Sequence, residues 1–322
     1  MRVTNKMLAK DLRFNGRVLR VIAQFNSESR FKRVQKLIIK LVRNHEPKDK
    51  AIEKKEFYIP RRDGEKLRLC VYCRKDLNPK EPVTGLLWIH GGGYAFGIPE
   101  IETKTIERFI QTSNTVVVSP DYRLSLEAPY PAALHDAYDV LVWMKENVTN
   151  LGIKDNQIFV GGESAGGGLA CAVTAYARDK KTVNVAYQIP LYPMLDDRML
   201  TQSMIDNDAP VWNIKANQAA WKLYLGEKFQ TEEVAPYAAP ARLTNYAGLP
   251  PTFTFISDIE PFYDETREYI HNLQKAGVNA EMKVYHGAFH GFDLLAPNSK
   301  EANDAVATLL KAYKHATEKY FA

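Results

Sequence analysis

Two spacings of apolar residues alternate along this chain. Phe31, Val34, Ile38 and Leu41 recur at the three- and four-residue intervals of one helix face. Leu8, Leu12, Leu19 and Ile22 keep a similar rhythm, with Gly16 as a candidate break. The first fifty residues therefore read as helical. Pro47 and the charged run from Lys48 to Lys55 separate them from the rest of the chain. Residues 56–59 and 66–72 read as extended segments flanking Arg61-Arg62-Asp63-Gly64, and Asp-Gly is a strong hairpin signal. Beyond this point short β-branched and apolar runs alternate with helical patterns. Strands are predicted at 86–89, 115–119, 158–160, 185–190, 252–256 and 280–285, and helices at 101–112, 134–147, 168–178 and 266–276. Val306, Leu309, Leu310 and Tyr313 mark a closing helix. Such alternation predicts an α/β architecture, a mostly parallel sheet covered on both faces by helices. Residues near 195–230 interrupt it with no strand. That stretch and the N-terminal helices are long enough to form a lid.

Composition narrows the picture. A chain of 322 residues suffices for one large domain, and 45% apolar with 25% charged residues is ordinary for a soluble globular protein. No run of eighteen uncharged apolar residues occurs, so no stable membrane insertion is expected. Lys6, Lys10, Asp11, Arg13, Arg17 and Arg20 interrupt any apolar core of a secretory leader, which points to a cytoplasmic protein. Three cysteines fit a reducing compartment. Cys70 and Cys73 form a CxxC inside a predicted strand, where positions three apart face opposite ways, and no second pair completes a zinc set. Residues 1–50 carry fourteen Lys/Arg against four Asp/Glu. Such a basic arm could meet nucleic acid or a lipid surface, but no nucleic-acid motif accompanies it. It reads as a solvated helix face, with no nucleic-acid partner.

The sharpest chemical signal is Gly162-Glu163-Ser164-Ala165-Gly166, a GxSxG placed between a predicted strand and a Gly/Ala-rich helix. That setting is what a nucleophile elbow requires: a tight turn lifts the serine hydroxyl to the carboxyl edge of the sheet, and the helix aims its first amides at the same point. Upstream, His90-Gly91-Gly92-Gly93 directly follows a predicted strand. Glycines there let backbone N–H groups turn toward the oxyanion of an acyl-transfer reaction. A serine needs a base. Of seven histidines, His286 and His290 follow the last strand, and His290 sits in the loop better suited to present a side chain. The acid should stand between serine and base in chain order. The loop after residues 252–256 offers Asp258 and Glu260 near the strand end, and spacing alone does not choose between them.

These motifs, together with Asp121-Tyr122-Arg123-Leu124, Pro129-Tyr130-Pro131-Ala132-Ala133-Leu134 and His290-Gly291-Phe292, resemble the hormone-sensitive-lipase-like family of bacterial esterases over roughly residues 55–320. The resemblance implies an α/β-hydrolase fold with Ser164 as nucleophile and His290 as base. It implies oxyanion donors from the amides of Gly92, Gly93 and Ala165. It implies a catalytic domain over 51–322, with a helical cap built from residues 1–50 and an insertion near 195–230. The family's acid stands in a segment like Asp-Pro-Leu-x-Asp-Glu. The matching stretch here is Glu260-Pro261-Phe262-Tyr263-Asp264-Glu265, so the acid position carries Glu260 instead of aspartate, with Asp258 as runner-up. Tyr122, Arg123 and Asp136 also match, and read as structural pairings beneath the loops. Members are often dimers, which makes a homodimer one assembly to test, although no interface signature accompanies it.

The expected activity is hydrolysis of short-chain carboxylic esters through an acyl-enzyme, on a small-molecule substrate and with no metal or organic cofactor. A lipase, a deacetylase of acylated sugars or drugs, and a non-catalytic ligand-binding homologue are the alternatives. Retention of both Ser164 and His290 argues for turnover.

Overall fold

The structure is a computed structural model that describes all 322 residues. Two helices open the chain, α1 (Arg13–Ile22) and α2 (Glu28–Val42). The strands β1 (Ile52–Pro60) and β2 (Lys66–Arg74) pair antiparallel, joined by the turn at Asp63-Gly64, where Gly64 has a φ of 88°. Next come β3 (Val83–Ile89), α3 (Thr103–Thr112), β4 (Thr115–Pro120), α4 (Ala132–Glu146), the single turn α5 (Val148–Leu151), β5 (Ile153–Glu163), α6 (Ala165–Lys180) and β6 (Tyr187–Leu191). After a long excursion holding α7 (Ile214–Leu225) come β7 (Thr252–Ser257), α8 (Tyr263–Lys275), β8 (Ala280–Tyr285), the short α9 (Phe292–Leu295) and α10 (Lys300–Lys319).

The eight strands lie in one sheet in the order β1-β2-β4-β3-β5-β6-β7-β8. From β4 onward every neighbouring pair is parallel, while β1 and β2 are antiparallel. The central strands explain this choice. Leu86 to Ile89 of β3, all of β4 and Ile158 to Val160 of β5 are buried, so neither face of the sheet centre can meet water. Helices must cover both sides. On one side α3 packs with α10, through contacts such as Phe109 against Tyr313. On the other, α4 packs on α6, and Cys171 and Ala175 of α6 share a cluster with Tyr269 and Leu273 of α8.

Every predicted strand is present, and the 195–230 stretch holds α7 and no strand. Two local expectations differ. Gly16 does not interrupt α1, which runs through it. Its missing side chain makes room for Leu8, whose Cδ1 would lie 2.6 Å from a Cβ there. The helix after the serine starts at Ala165, three residues earlier than its apolar pattern suggests, because the elbow places Gly166, Gly167 and Gly168 inside the first turn.

Both non-sheet segments are fastened to the loops at the carboxyl edge. Gln35 of α2 exchanges two hydrogen bonds with Gly97: the Gly97 amide donates at 2.7 Å and the Gln35 amide donates back at 3.2 Å. Phe31 lies fully buried against Phe96 and Trp212. Before α1, the Ala9 amide donates to Gly287 at 2.9 Å. Tyr224 of α7 stacks on Tyr94, with centroids 3.9 Å apart and planes 4° from parallel.

Candidate active site

Three loops meet at the carboxyl edge of β3, β5 and β8. Ser164 sits between β5 and α6 with φ 56° and ψ −120°, a conformation that costs a non-glycine residue about 1–3 kcal/mol and persists only where the surroundings impose it. Here they do. The Ser164 amide donates to Leu191 at 2.9 Å, and its carbonyl accepts from Gly168 and Met194, each at 3.0 Å. The turn is tight enough that a Cβ on Gly166 would lie 2.1 Å from the Ile89 carbonyl oxygen. No side chain fits, which is the steric reason for glycine in the motif.

His290 follows β8 and reaches the serine. Its Nε2 accepts from the Ser164 hydroxyl at 2.8 Å, and its Nδ1–H donates to the Glu260 carboxylate at 2.5 Å. The ring is fixed edge-on by Tyr192 and Phe262, at centroid distances of 5.0 and 5.2 Å. Glu260 is fully buried at the end of β7, and its second oxygen accepts from the Ser257 amide at 3.1 Å. The two runner-up residues occupy a separate arrangement. Asp258 accepts from Nδ1 of the exposed His286 at 2.7 Å and from the Gly287 amide at 2.9 Å, and so staples the loop that carries His290. Spacing leaves Asp258 and Glu260 open; the fold brings only Glu260 to His290.

The glycine loop after β3 packs on the serine. Gly91 lies close enough that a Cβ on it would meet the Glu163 carbonyl at 3.0 Å and the Ser164 Cβ at 3.4 Å. Gly92 has a φ of 116°, and a Cβ on it would lie 1.9 Å from the Phe96 carbonyl. The amides of Gly92 and Gly93 donate to no backbone carbonyl. His90 supports this loop from beneath. It is fully buried, stacks on Tyr122 at 4.3 Å, and burial pushes its imidazole down to about 4, so it is neutral at pH 7. Tyr122 donates to the His90 carbonyl at 3.0 Å, and Arg123 grips Asp136 with both its amide and its guanidinium, as structural pairings.

Three acids near Ser164, His290 and Glu260 carry no obvious sequence signal. Glu102, Glu163 and Asp293 are buried behind Ser164 and His290. Glu102 accepts from Trp88 Nε1 at 3.3 Å and lies against Glu163, while the Tyr192 hydroxyl donates to Asp293 at 3.5 Å. Burial pushes Glu102 up to about 7, Asp293 up to about 6, and Glu163 well above the usual carboxylate range. The cluster is therefore largely protonated at mildly acidic pH, and it touches all three loops. Glu102 and Asp293 sit in stretches that resemble solvated helix turns, and Glu163 fills the unspecified second place of GxSxG.

Ser164 and His290 open into a cavity of about 270 Å³. Its walls include Phe25 and Ile38 from the N-terminal segment, Trp212 from the long excursion, Phe96, and Leu294 and Leu295 beyond His290. Elsewhere Glu56, Cys70 and Glu100 bring ligand-type atoms within 4.8 Å of one another. Arg68 donates to both carboxylates there, at 3.0 and 2.8 Å, which makes this a satisfied ion network and not a metal centre. All three cysteines are free and buried, and burial raises their thiols, to about 12 for Cys70 and Cys171 and about 11 for Cys73.

Comparison with known proteins agrees with this architecture. Residues 86–294 match the model of a family described as the alpha/beta hydrolase fold. Esterase LipI of Mycobacterium tuberculosis is 33% identical over 235 residues, covering 71% of this chain and 73% of its own. Carboxylesterase NlhH of the same organism is 30% identical, over 72% and 74%. Among solved structures, a bacterial heroin esterase superimposes with a TM-score of 0.88 at 30% identity, over 98% of this chain and 100% of that one. With sheet, elbow and relatives in agreement, this chain belongs to the hormone-sensitive-lipase-like esterases of the alpha/beta hydrolase fold.

Proposed function

We propose that this carboxylic ester hydrolase acts through Ser164, His290 and Glu260 on small esters with short acyl chains. One observation carries the reading: the continuous relay from the Ser164 hydroxyl through His290 to a buried carboxylate, over 2.8 and 2.5 Å. In this reading the serine oxygen attacks the ester carbonyl carbon while His290 Nε2 takes its proton. The carboxylate of Glu260 holds the productive tautomer and stabilises the imidazolium. The carbonyl oxygen becomes an oxyanion that receives hydrogen bonds from the amides of Gly92, Gly93 and Ala165. Collapse expels the alcohol, which takes its proton from Nε2. Water, deprotonated by the same nitrogen, then releases the acid and restores the serine.

Residues 1–50 and the excursion near 195–230 serve as the cap, because Phe25, Ile38 and Trp212 close the cavity over Ser164. That cavity lies at the small end of ligand pockets, which span roughly 300–1,000 Å³, and its aromatic walls favour a short apolar acyl group. Three free, buried cysteines support a reducing, cytoplasmic setting. No helix is long and apolar enough to cross a membrane. A panel of p-nitrophenyl esters from acetate to palmitate tests the reading. The expected optimum is at the short end and is lost in Ser164→Ala. A maximum at palmitate sinks the short-chain assignment, and undiminished turnover by Ser164→Ala sinks the nucleophile.

A further inference from the structure

A surface helix ordinarily turns its apolar stripe inward and its polar residues outward. Helix α1 is apolar on two sides. Its inner side packs through Gly16 and Leu19 on the body of the protein. Its outer side carries a second apolar stripe: Phe14, Val18, Val21 and Ile22 fall at i, i+4, i+7 and i+8, and are 76%, 41%, 75% and 68% exposed. On α2, Leu37 and Leu41 stand one turn apart and are also exposed. Scattered exposed apolar residues are normal, whereas a contiguous stripe of this size on one helix is not.

The N-terminal segment that carries the stripe has charge of one dominant sign. Residues 1–42 carry eleven Lys/Arg against two Asp/Glu. Exposed Arg17 borders the stripe on α1, while the Arg13 guanidinium donates to the Leu8 and Lys6 carbonyls at 3.1 and 3.3 Å. On α2, Arg33, Lys36 and Lys40 form no ion pair, while Lys32 pairs with Glu28. This face also adjoins the cavity over Ser164. Asn15 of α1 donates to the Leu295 carbonyl at 3.5 Å, and Leu295, Leu294 and Ile38 of α2 line the cavity.

We propose that the outer face of α1 and α2 docks on an anionic phospholipid surface, with Phe14, Val21 and Ile22 entering the acyl boundary and the flanking cations meeting the headgroups. A positive rim around an apolar stripe is the pattern of an interfacial helix. It also argues against a second copy as the occupant, since a two-fold pairing of this face brings two surfaces of the same positive sign together. The docking places the cavity mouth toward the interface. It rests on the ester-hydrolase reading only for its use, so amphiphilic esters partitioned into that surface become the favoured substrate class.

Co-sedimentation with phosphatidylcholine vesicles, with and without phosphatidylglycerol, tests the proposal. The unaltered protein binds only the anionic vesicles, and raising salt severalfold weakens binding by roughly tenfold. The triple variant Phe14→Ser, Val21→Ser, Ile22→Ser loses binding by at least roughly tenfold, yet hydrolyses dissolved p-nitrophenyl acetate at the unaltered protein's rate, which shows that it is folded. Absence of binding to anionic vesicles overturns the proposal, as does equal binding by the triple variant. So does a solution dimer that light scattering finds split by the triple variant while vesicles remain unbound. Vesicle binding by a protein inactive on every ester overturns the catalytic reading and leaves the docking intact.

Discussion

Glu260→Gln changes one charge and almost no volume, at a position with no access to water. In the native arrangement the carboxylate accepts from His290 Nδ1–H, which leaves Nε2 bare to take the Ser164 proton. Glutamine subtracts two things. Its neutral amide gives up the attraction to the imidazolium formed in the transition state. For charge centres about 4 Å apart at an effective dielectric near 20, this amounts to about 4 kcal/mol, or about 10³-fold in rate. Its NH₂ can also donate to Nδ1, which fixes the proton on Nε2 and removes the base altogether. Together these predict a fall in kcat of about 10³- to 10⁴-fold. Asp258→Asn, by contrast, touches only the exposed His286 and a loop amide, and changes kcat by no more than about fivefold. Steady-state hydrolysis of p-nitrophenyl butyrate, with thermal melts to verify folding, compares the two. Activity of Glu260→Gln within about tenfold of the unaltered enzyme, or an equal loss in Asp258→Asn, refutes the assignment of the acid.

The same contacts set other outcomes. Glu102 is pushed up to about 7 from 4.5, so between these values the folded protein keeps a proton that the unfolded chain has released, and stability falls as pH rises across that window. Glu102→Gln flattens this fall, read as a smaller drop in melting temperature between about pH 5 and pH 8. Trp212→Ala widens the cavity against Phe25 and Phe31, costs about 3–5 kcal/mol in stability, and moves the acyl optimum toward longer chains in the ester panel. Gly166→Ala drives a Cβ into the Ile89 carbonyl and yields no soluble enzyme on expression.

Much of this fold is legible in the sequence because its information is local. The central strands are apolar on both faces, the hairpin announces itself by Asp-Gly, and the elbow and glycine loop each follow a strand directly. Ser164 and His290 stand out because chemistry and steric demand restrict the residues around them. The acid is harder. Asp258 and Glu260 both follow β7, and only the path of the loop decides that one caps the Gly287 turn while the other reaches the imidazole. Family resemblance, and not spacing, favours Glu260. The carboxyl cluster is invisible for a different reason. Glu102, Glu163 and Asp293 come from three separate parts of the chain, and each resembles a solvated residue until the fold buries it beside the other two. The outer stripe of α1 is hidden because periodicity reports that a helix is amphipathic but not which face meets the protein.

A fluorophosphonate probe followed by peptide mass spectrometry identifies the nucleophile itself. One adduct per chain is expected, on Ser164, and it is lost in a folded His290→Ala variant. An unlabelled protein, or an adduct on any other residue, contradicts the assignment of Ser164.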